Sequence, residues 1–407
     1  MTFLQITSLT IVLAALFGSI NYLFLKLPSA IGILIVALAA SFGIFGLDLL
    51  LPHLGMADEV RRIVTGIDFS DALLEGMLGL LLFAGALHVK LSDLRREWLP
   101  VLLMATIGVG LSTVIVGTAF SLYTGMPILI ALVFGALISP TDPVAVLGVL
   151  KETNLPTSLE TKIAGESLFN DGVGYVVFLV LVSLAFTGDG GHGASFGEAA
   201  LLFIQEALGG AILGLGLGYL TFRIMRRIDD YSLEVLLTLA LAFGGYELAI
   251  YLHVSAPIMA VTAGLLIGDF EHSMSKETRD YVDAFWKLVD EILNAVLFLM
   301  IGFEVFAVSF EGNSALAGLA AIVMALVARF VAVSVPVMLL KPFRDFSSGV
   351  IPIMTWGGLK GGISVALVLS VPDNEWKPLL LTATYIVVIF SIIVQGLTVA
   401  SVARRFS

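Results

Sequence analysis

Continuous apolar runs of about twenty residues recur along nearly the whole chain, and they limit its fold more than any other feature. A run of that length crosses the hydrocarbon core of a bilayer as a helix. In lipid the backbone must satisfy its own hydrogen bonds, so a span is either a helix or a strand of a closed barrel. These runs are long and do not alternate, which argues against strands. Thirteen spans are expected, at 3–24, 28–46, 70–89, 98–121, 127–150, 162–186, 198–222, 231–252, 256–268, 284–308, 314–340, 347–371 and 376–402. The ninth is the shortest. The first has no Lys or Arg before it and no small-residue cleavage site, so it reads as a retained span rather than a signal peptide. Composition agrees: 58% of the 407 residues are hydrophobic and 13% are charged, against about 25% charged in a soluble domain. Too few charges remain to coat a water-facing surface.

The same figures exclude disorder, collagen and a secreted disulfide scaffold. There is no cysteine, hence no zinc–thiolate site, iron–sulfur cluster or cysteine nucleophile. A net charge of −11 leaves no basic footprint for nucleic acid. The loops are too short for a nucleotide-binding or receptor domain. No Walker loop, zincin motif or nucleophile elbow is present, so no enzyme activity and no cofactor are expected. Gly214, Gly216 and Gly218 lie inside an apolar run and read as a packing face.

Lys and Arg set the orientation. Of the 21 in the chain, Arg61, Arg62 and Lys377 alone fall in loops after even-numbered spans, and Arg329 and Lys360 fall inside spans. The rest follow odd-numbered spans, Lys162 and Lys287 within the first turn of the next one. This places the N-terminus outside, the C-terminus in the cytoplasm, and makes the span count odd.

Ionisable groups within a span are costly and mark function by default. The fifth span contains Ser139-Pro140-Thr141-Asp142-Pro143. Each proline lacks an N–H and clashes with the preceding turn, so the helix should break there and expose backbone beside Thr141 and Asp142. The bland alternative is a proline kink. The sixth span opens with Gly165-Glu166-Ser167-Leu168-Phe169-Asn170-Asp171-Gly172. Glu166 and Asn170 share a face, as do Ser167 and Asp171. Glu166 and Asp171 lie roughly 140° apart and address different partners. A deeper helix start would leave Glu166 among headgroups. In the eleventh span, Arg329 sits mid-membrane and needs a buried carboxylate, for which Glu166 is the first choice. The twelfth span carries Trp356-Gly357-Gly358-Leu359-Lys360-Gly361-Gly362. Its glycines weaken the helix and permit close approach. A second break is expected there, with Lys360 near a carbonyl end. The alternative is a glycine packing face with a snorkelling lysine.

These interruptions fit an inverted repeat. Spans 1–6 (about 3–186) and 8–13 (about 231–402) form two halves of opposite orientation, with span 7 (about 198–222) connecting them. The fifth span then matches the twelfth. Paired broken spans point to a secondary-transporter site near the midplane. Glu75, Glu206, Glu247, Asp290, Glu291 and Glu304 lie nearer span ends or alone, and read as interfacial or structural. His253 and His272 fall in loops. The polar stretch 269–283 reads as a cytoplasmic loop.

In these segments, Ser139–Pro143, Gly165–Gly172 and Trp356–Gly362, the chain resembles the NhaP-type cation/proton antiporters, in the branch that includes the animal sodium/proton exchangers. The resemblance covers nearly the whole chain. It implies an all-helical protein of about thirteen transmembrane helices with crossed unwound helices 5 and 12. It implies one antiporter domain over 1–407, a moving core at about 98–186 and 314–402, and a dimer scaffold at about 3–89 and 231–308. A homodimer in the bacterial or archaeal inner membrane follows, with roles in sodium transport and pH homeostasis. By the same resemblance Asp171 is the binding aspartate, in an Asn170-Asp171 pair. Ser167 and Thr141 are its neighbouring ligands, with Na+ at Asp171, Ser167 and Thr141. Asp142 and Glu166 belong to the same site, and Arg329 balances Glu166. Lys360 stands where many relatives have Arg, which keeps the charge but loses the planar fork.

The expected function is exchange of protons for Na+, or for Li+ or K+, with both ligands competing for Asp171. Burial disfavours a charged carboxylate and a bound cation favours it, so one site serves either ligand. Relatives with Asp-Asp at this pair tend to be electrogenic, so by the resemblance Asn170-Asp171 implies one exchanging carboxylate and electroneutral 1:1 exchange. A K+/H+ antiporter is the nearest alternative, with a cation channel or an intramembrane aspartyl protease using Asp142 and Asp171 further off.

Overall fold

A computed structural model describes residues 3–51, 55–65, 72–143, 146, 155–186, 196–269, 276–306, 308 and 312–406. Among the described residues there is no strand. The helices are α1 (Phe3–Ile20), α2 (Ser29–Leu50), α3 (Met56–Thr65), α4 (Leu78–Leu87), α5 (Leu91–Leu103), α6 (Val109–Thr124), α7 (Ile128–Ile138), α8 (Thr157–Phe186) and α9 (Phe196–Met225). They continue as α10 (Tyr231–Tyr251), α11 (Ala256–Asp269), α12 (Lys276–Phe303), α13 (Gly312–Leu340), α14 (Val350–Trp356), α15 (Gly362–Ser370), α16 (Lys377–Phe390) and α17 (Gly396–Phe406). Wider π-type turns extend α1 through Asn21–Leu25, lead into α4 through Ala72–Met77, join α5 to α6 through Met104–Gly108 and join α16 to α17 through Ser391–Gln395. Eight helical stretches among the described residues are long and apolar enough to cross a membrane, and α4, α7 and α11 are shorter apolar helices.

Two elements differ from the sequence reading. Helix α12 begins at Lys276, inside the stretch expected to be a loop over 269–283. Val282, Phe285, Trp286 and Val289 recur at helical spacing and pack on a common apolar cluster, which carries the helix into its polar end. The remaining loop, 270–275 with His272, lies outside the described residues. Helix α3 was not foreseen. It is short and carries Asp58 and Glu59 in its first turn and Arg62 in its last, which suits the helix dipole.

Among the described residues the spans share three apolar clusters, the largest of which joins α1, α2 and α12 to α8 and α13–α17 around Ile31, Phe298, Val365 and Tyr385. A second joins buried side chains of α6, α7, α8, α13, α15 and α16, including Phe120, Phe134, Phe178, Ala325, Leu367 and Leu380. The third joins α4, α10, α11 and the polar end of α12 around Phe83, Met259 and Trp286. Trp286 Nε1 donates to Thr238 Oγ1 at 2.9 Å, as a buried indole N–H requires. The candidate site lies where the second of these groups faces α4 and α12.

Candidate ion-binding site

The fifth span stops at its prolines. Helix α7 ends at Ile138, and Pro140–Asp142 have no helical repeat. The carbonyls of Ser139 and Pro140 are met from the other broken span: Lys360 Nζ donates to them at 3.0 and 3.2 Å. An ammonium at the carbonyl end of a helix is favourably placed. It is the end of α7 that Lys360 serves, not the end of its own half-helix. Residues 144–145 and 147–154, the continuation of this span, lie outside the described residues.

The twelfth span is interrupted between Trp356 and Gly362. Three of its freed backbone groups find partners elsewhere. Leu359 O accepts the N–H of Asp142 at 2.8 Å. Lys360 N–H donates to Ser391 Oγ at 2.8 Å, that hydroxyl donates to Gln395 Oε1 at 2.8 Å, and Gln395 Nε2 donates to Trp356 O at 2.9 Å. Ser391 and Gln395 escaped the sequence reading, although their spacing of four inside an apolar span was the available signal.

Helix α8 passes both interruptions unbroken and buries Glu166, Ser167, Asn170 and Asp171. Glu166 faces Arg329 in a two-pronged ion pair. Arg329 NH2 donates to Glu166 Oε2 at 2.6 Å, NH1 donates to Oε1, and Nε donates to Met354 O at 3.2 Å. Planar matching of guanidinium and carboxylate makes such a pair strong and directional. Asn170 Oδ1 accepts the N–H of Thr141 at 3.2 Å, and its Nδ2 donates to Thr141 Oγ1 at 2.9 Å. Thr141 Oγ1 also shares a 2.9 Å hydrogen bond with Ser167 Oγ. Asn170 therefore orders the unwound chain, and Thr141 and Ser167 present neighbouring hydroxyl oxygens.

Asp171 is different. It is 5% exposed, and its Oδ1 has no hydrogen-bond partner. A buried polar atom in that condition carries a desolvation cost of roughly 1–3 kcal/mol, more if charged. Asp171 lines a cleft with Thr141 and Asp142, closed on the far side by Leu78, Leu81, Leu82, Asn294 and Leu297. Sequence reasoning brought Glu166, Ser167, Asn170, Asp171, Thr141, Asp142, Arg329 and Lys360 to this neighbourhood. It missed Asn294, a neutral residue with no motif around it. Of the other in-span acids, Glu247 and Glu291 are exposed and Glu304 is buried at the end of α12. The Glu75 side chain lies outside the described residues.

A helical membrane protein whose two interrupted spans meet beside a buried carboxylate has the build of a secondary transporter. The chain belongs to the sodium/hydrogen exchanger family, whose transmembrane region matches residues 11–405. The Na+/H+ antiporter NhaP of Pseudomonas aeruginosa is 45% identical over 415 residues, covering 99% of this chain and 96% of that protein. The Na+/H+ antiporter NhaH of Halobacillus dabanensis is 35% identical over 94% of this chain and 92% of its own. The solved structure of the sodium proton antiporter MjNhaP1 from Methanocaldococcus jannaschii at pH 8 superposes with a TM-score of 0.76 at 19% identity, covering 98% of this chain and 97% of that one. That likeness is one of fold.

Proposed function

We propose that this chain is a Na+/H+ antiporter in which a proton and a cation compete for Asp171. The observation that carries the reading is the unpartnered Oδ1 of Asp171, buried at a cleft that Thr141 also lines, with Ser167 Oγ hydrogen-bonded to Thr141 Oγ1. Those oxygens are hard ligands suited to a small cation. With either ligand bound, Asp171 is neutralised. With neither, its charge is costly to carry through an apolar barrier. Exchange rather than leak follows. Asn170 holds Thr141 and carries no charge, so one carboxylate exchanges and the stoichiometry is one cation per proton, without net current. Lys360 and Arg329 are charge-balancing groups, and no cofactor takes part.

In this reading thirteen spans form two inverted halves. The cluster joining α6, α7, α8, α13, α15 and α16 supports a core over about 98–186 and 314–402 that moves as one body. The spans at about 3–89 and 231–308 form the scaffold, which pairs two copies. The charge asymmetry of the loops supports an outside N-terminus and a cytoplasmic C-terminus in a bacterial or archaeal inner membrane.

The test is proteoliposomes with a preset pH gradient and a pH-sensitive dye. Sodium, lithium and potassium are added in turn to wild type and to Asp171→Asn. Wild type should collapse the gradient with a preferred cation, and Asp171→Asn should not respond. A potassium response without a sodium response would move the reading to K+/H+ exchange. No response from folded wild type would remove it.

A further inference from the structure

Most of the wall facing Asp171 is aliphatic. Helix α4 contributes Leu78, Leu81 and Leu82, and α12 contributes Leu297. Asn294, also on α12, is the polar exception among the described lining residues on that side. It is 5% exposed, and its orientation is fixed. Nδ2 donates to Asp290 O at 2.8 Å and to Asp290 Oδ1 at 2.9 Å. Both partners are acceptors, so the amide cannot be turned over without setting oxygen against oxygen. Among the described residues no hydrogen bond ends on Asn294 Oδ1. An apolar wall thus holds one amide with its nitrogen tied back and its acceptor oxygen left over, beside the cleft of the acidic site.

We propose that Asn294 is a cation-recognition residue, whose Oδ1 meets the ion as it passes between Asp171 and one face of the membrane. The proposal rests on the antiport reading above and adds sidedness to it. Thr141, Ser167 and Asp171 belong to spans joined by one hydrogen-bond network, whereas Asn294 belongs to the opposing wall. If the two move relative to each other in the cycle, Asn294 lies beside Asp171 in one access state only. A neutral oxygen at that point also discriminates: it offers a lone pair to a partly dehydrated cation and no charge to retain it.

The experiment compares right-side-out and inverted vesicles carrying the protein, with vesicles lacking it as the blank. The apparent KM for Na+ is measured on each face for wild type, Asn294→Leu and Asn294→Ser. Leu keeps the volume and removes the oxygen. Ser keeps a short oxygen and covers the case in which the Leu variant does not fold. The expected result is a KM raised about tenfold on one face, as for a lost hydrogen bond to a charged group. The other face and the maximal rate should be unchanged, and Ser should fall between. An unchanged KM on both faces, or an equal rise on both, overturns the proposal. Wild-type vesicles without exchange on either face would instead remove the antiport reading itself.

Discussion

The two interrupted spans reach the same outcome by opposite means. In the fifth, prolines break the helix and the break carries chemistry: Thr141 and Asp142 sit between them. In the twelfth, glycines break it and the break supplies room. A side chain on Gly361 would bring its Cβ to 2.5 Å from Asp142 Oδ2, and one on Gly358 would fall on Arg329 Nε. Each break then completes the other. Lys360 caps the carbonyls left by the fifth span, and Leu359 O takes the N–H of Asp142. The difference teaches that proline fixes where a membrane helix ends, while glycine fixes how closely another element may come.

The comparison can be broken in graded ways, each read as the thermal unfolding midpoint in detergent. The largest effect is expected at the ion pair packed against the twelfth-span break. Glu166→Ala leaves Arg329 buried without its carboxylate and should destabilise by about 3–5 kcal/mol; an unchanged midpoint would show that water reaches Arg329. Gly361→Val should follow, at about 1–3 kcal/mol, because the added atoms overlap Asp142. Lys360→Met removes the ammonium but keeps the length, exposing two buried carbonyls at about 2 kcal/mol. Pro140→Ala should change stability least, within about 1 kcal/mol, while slowing exchange more than it moves the midpoint. Should Pro140→Ala prove worse than Gly361→Val, the assignment of chemistry to one break and space to the other would be reversed.

The fold was legible wherever the bilayer imposes a rule. Length and apolarity gave an all-helical chain of many apolar helices, and proline and clustered glycine gave the interruptions. The need of Arg329 for a buried partner gave Glu166, because an unpaired charge at that depth is too costly to stand alone. Legibility failed where a residue costs little. Asn294, Ser391 and Gln395 are neutral, can satisfy themselves within one or two turns, and leave no mark in an apolar run. The start of α12 was hidden for a related reason: its first turns are charged on one face and apolar on the other, so mean polarity suggested a loop while the spacing of Val282 and Trp286 specified a helix. That Lys360 reaches the fifth span could not be read either, since the choice between two carbonyl ends is made by tertiary contact.

The reciprocal stitching of the two breaks has a mechanical consequence. Prying them apart would uncover the Asp142 N–H, the Leu359 carbonyl, the Lys360 ammonium and two carbonyls of the fifth span together. The leucines opposite offer less resistance, because aliphatic side chains sliding past one another exchange one set of dispersion contacts for another, although Tyr385 of α16 donates a buried hydrogen bond to Ile301 O of α12 at 2.9 Å. The stitched breaks act as a rivet and the leucines as a bearing. A displacement that opens this cleft is therefore easier as a glide along α4 and α12 than as a parting of the two breaks, with the residues of the proposed ion site travelling together.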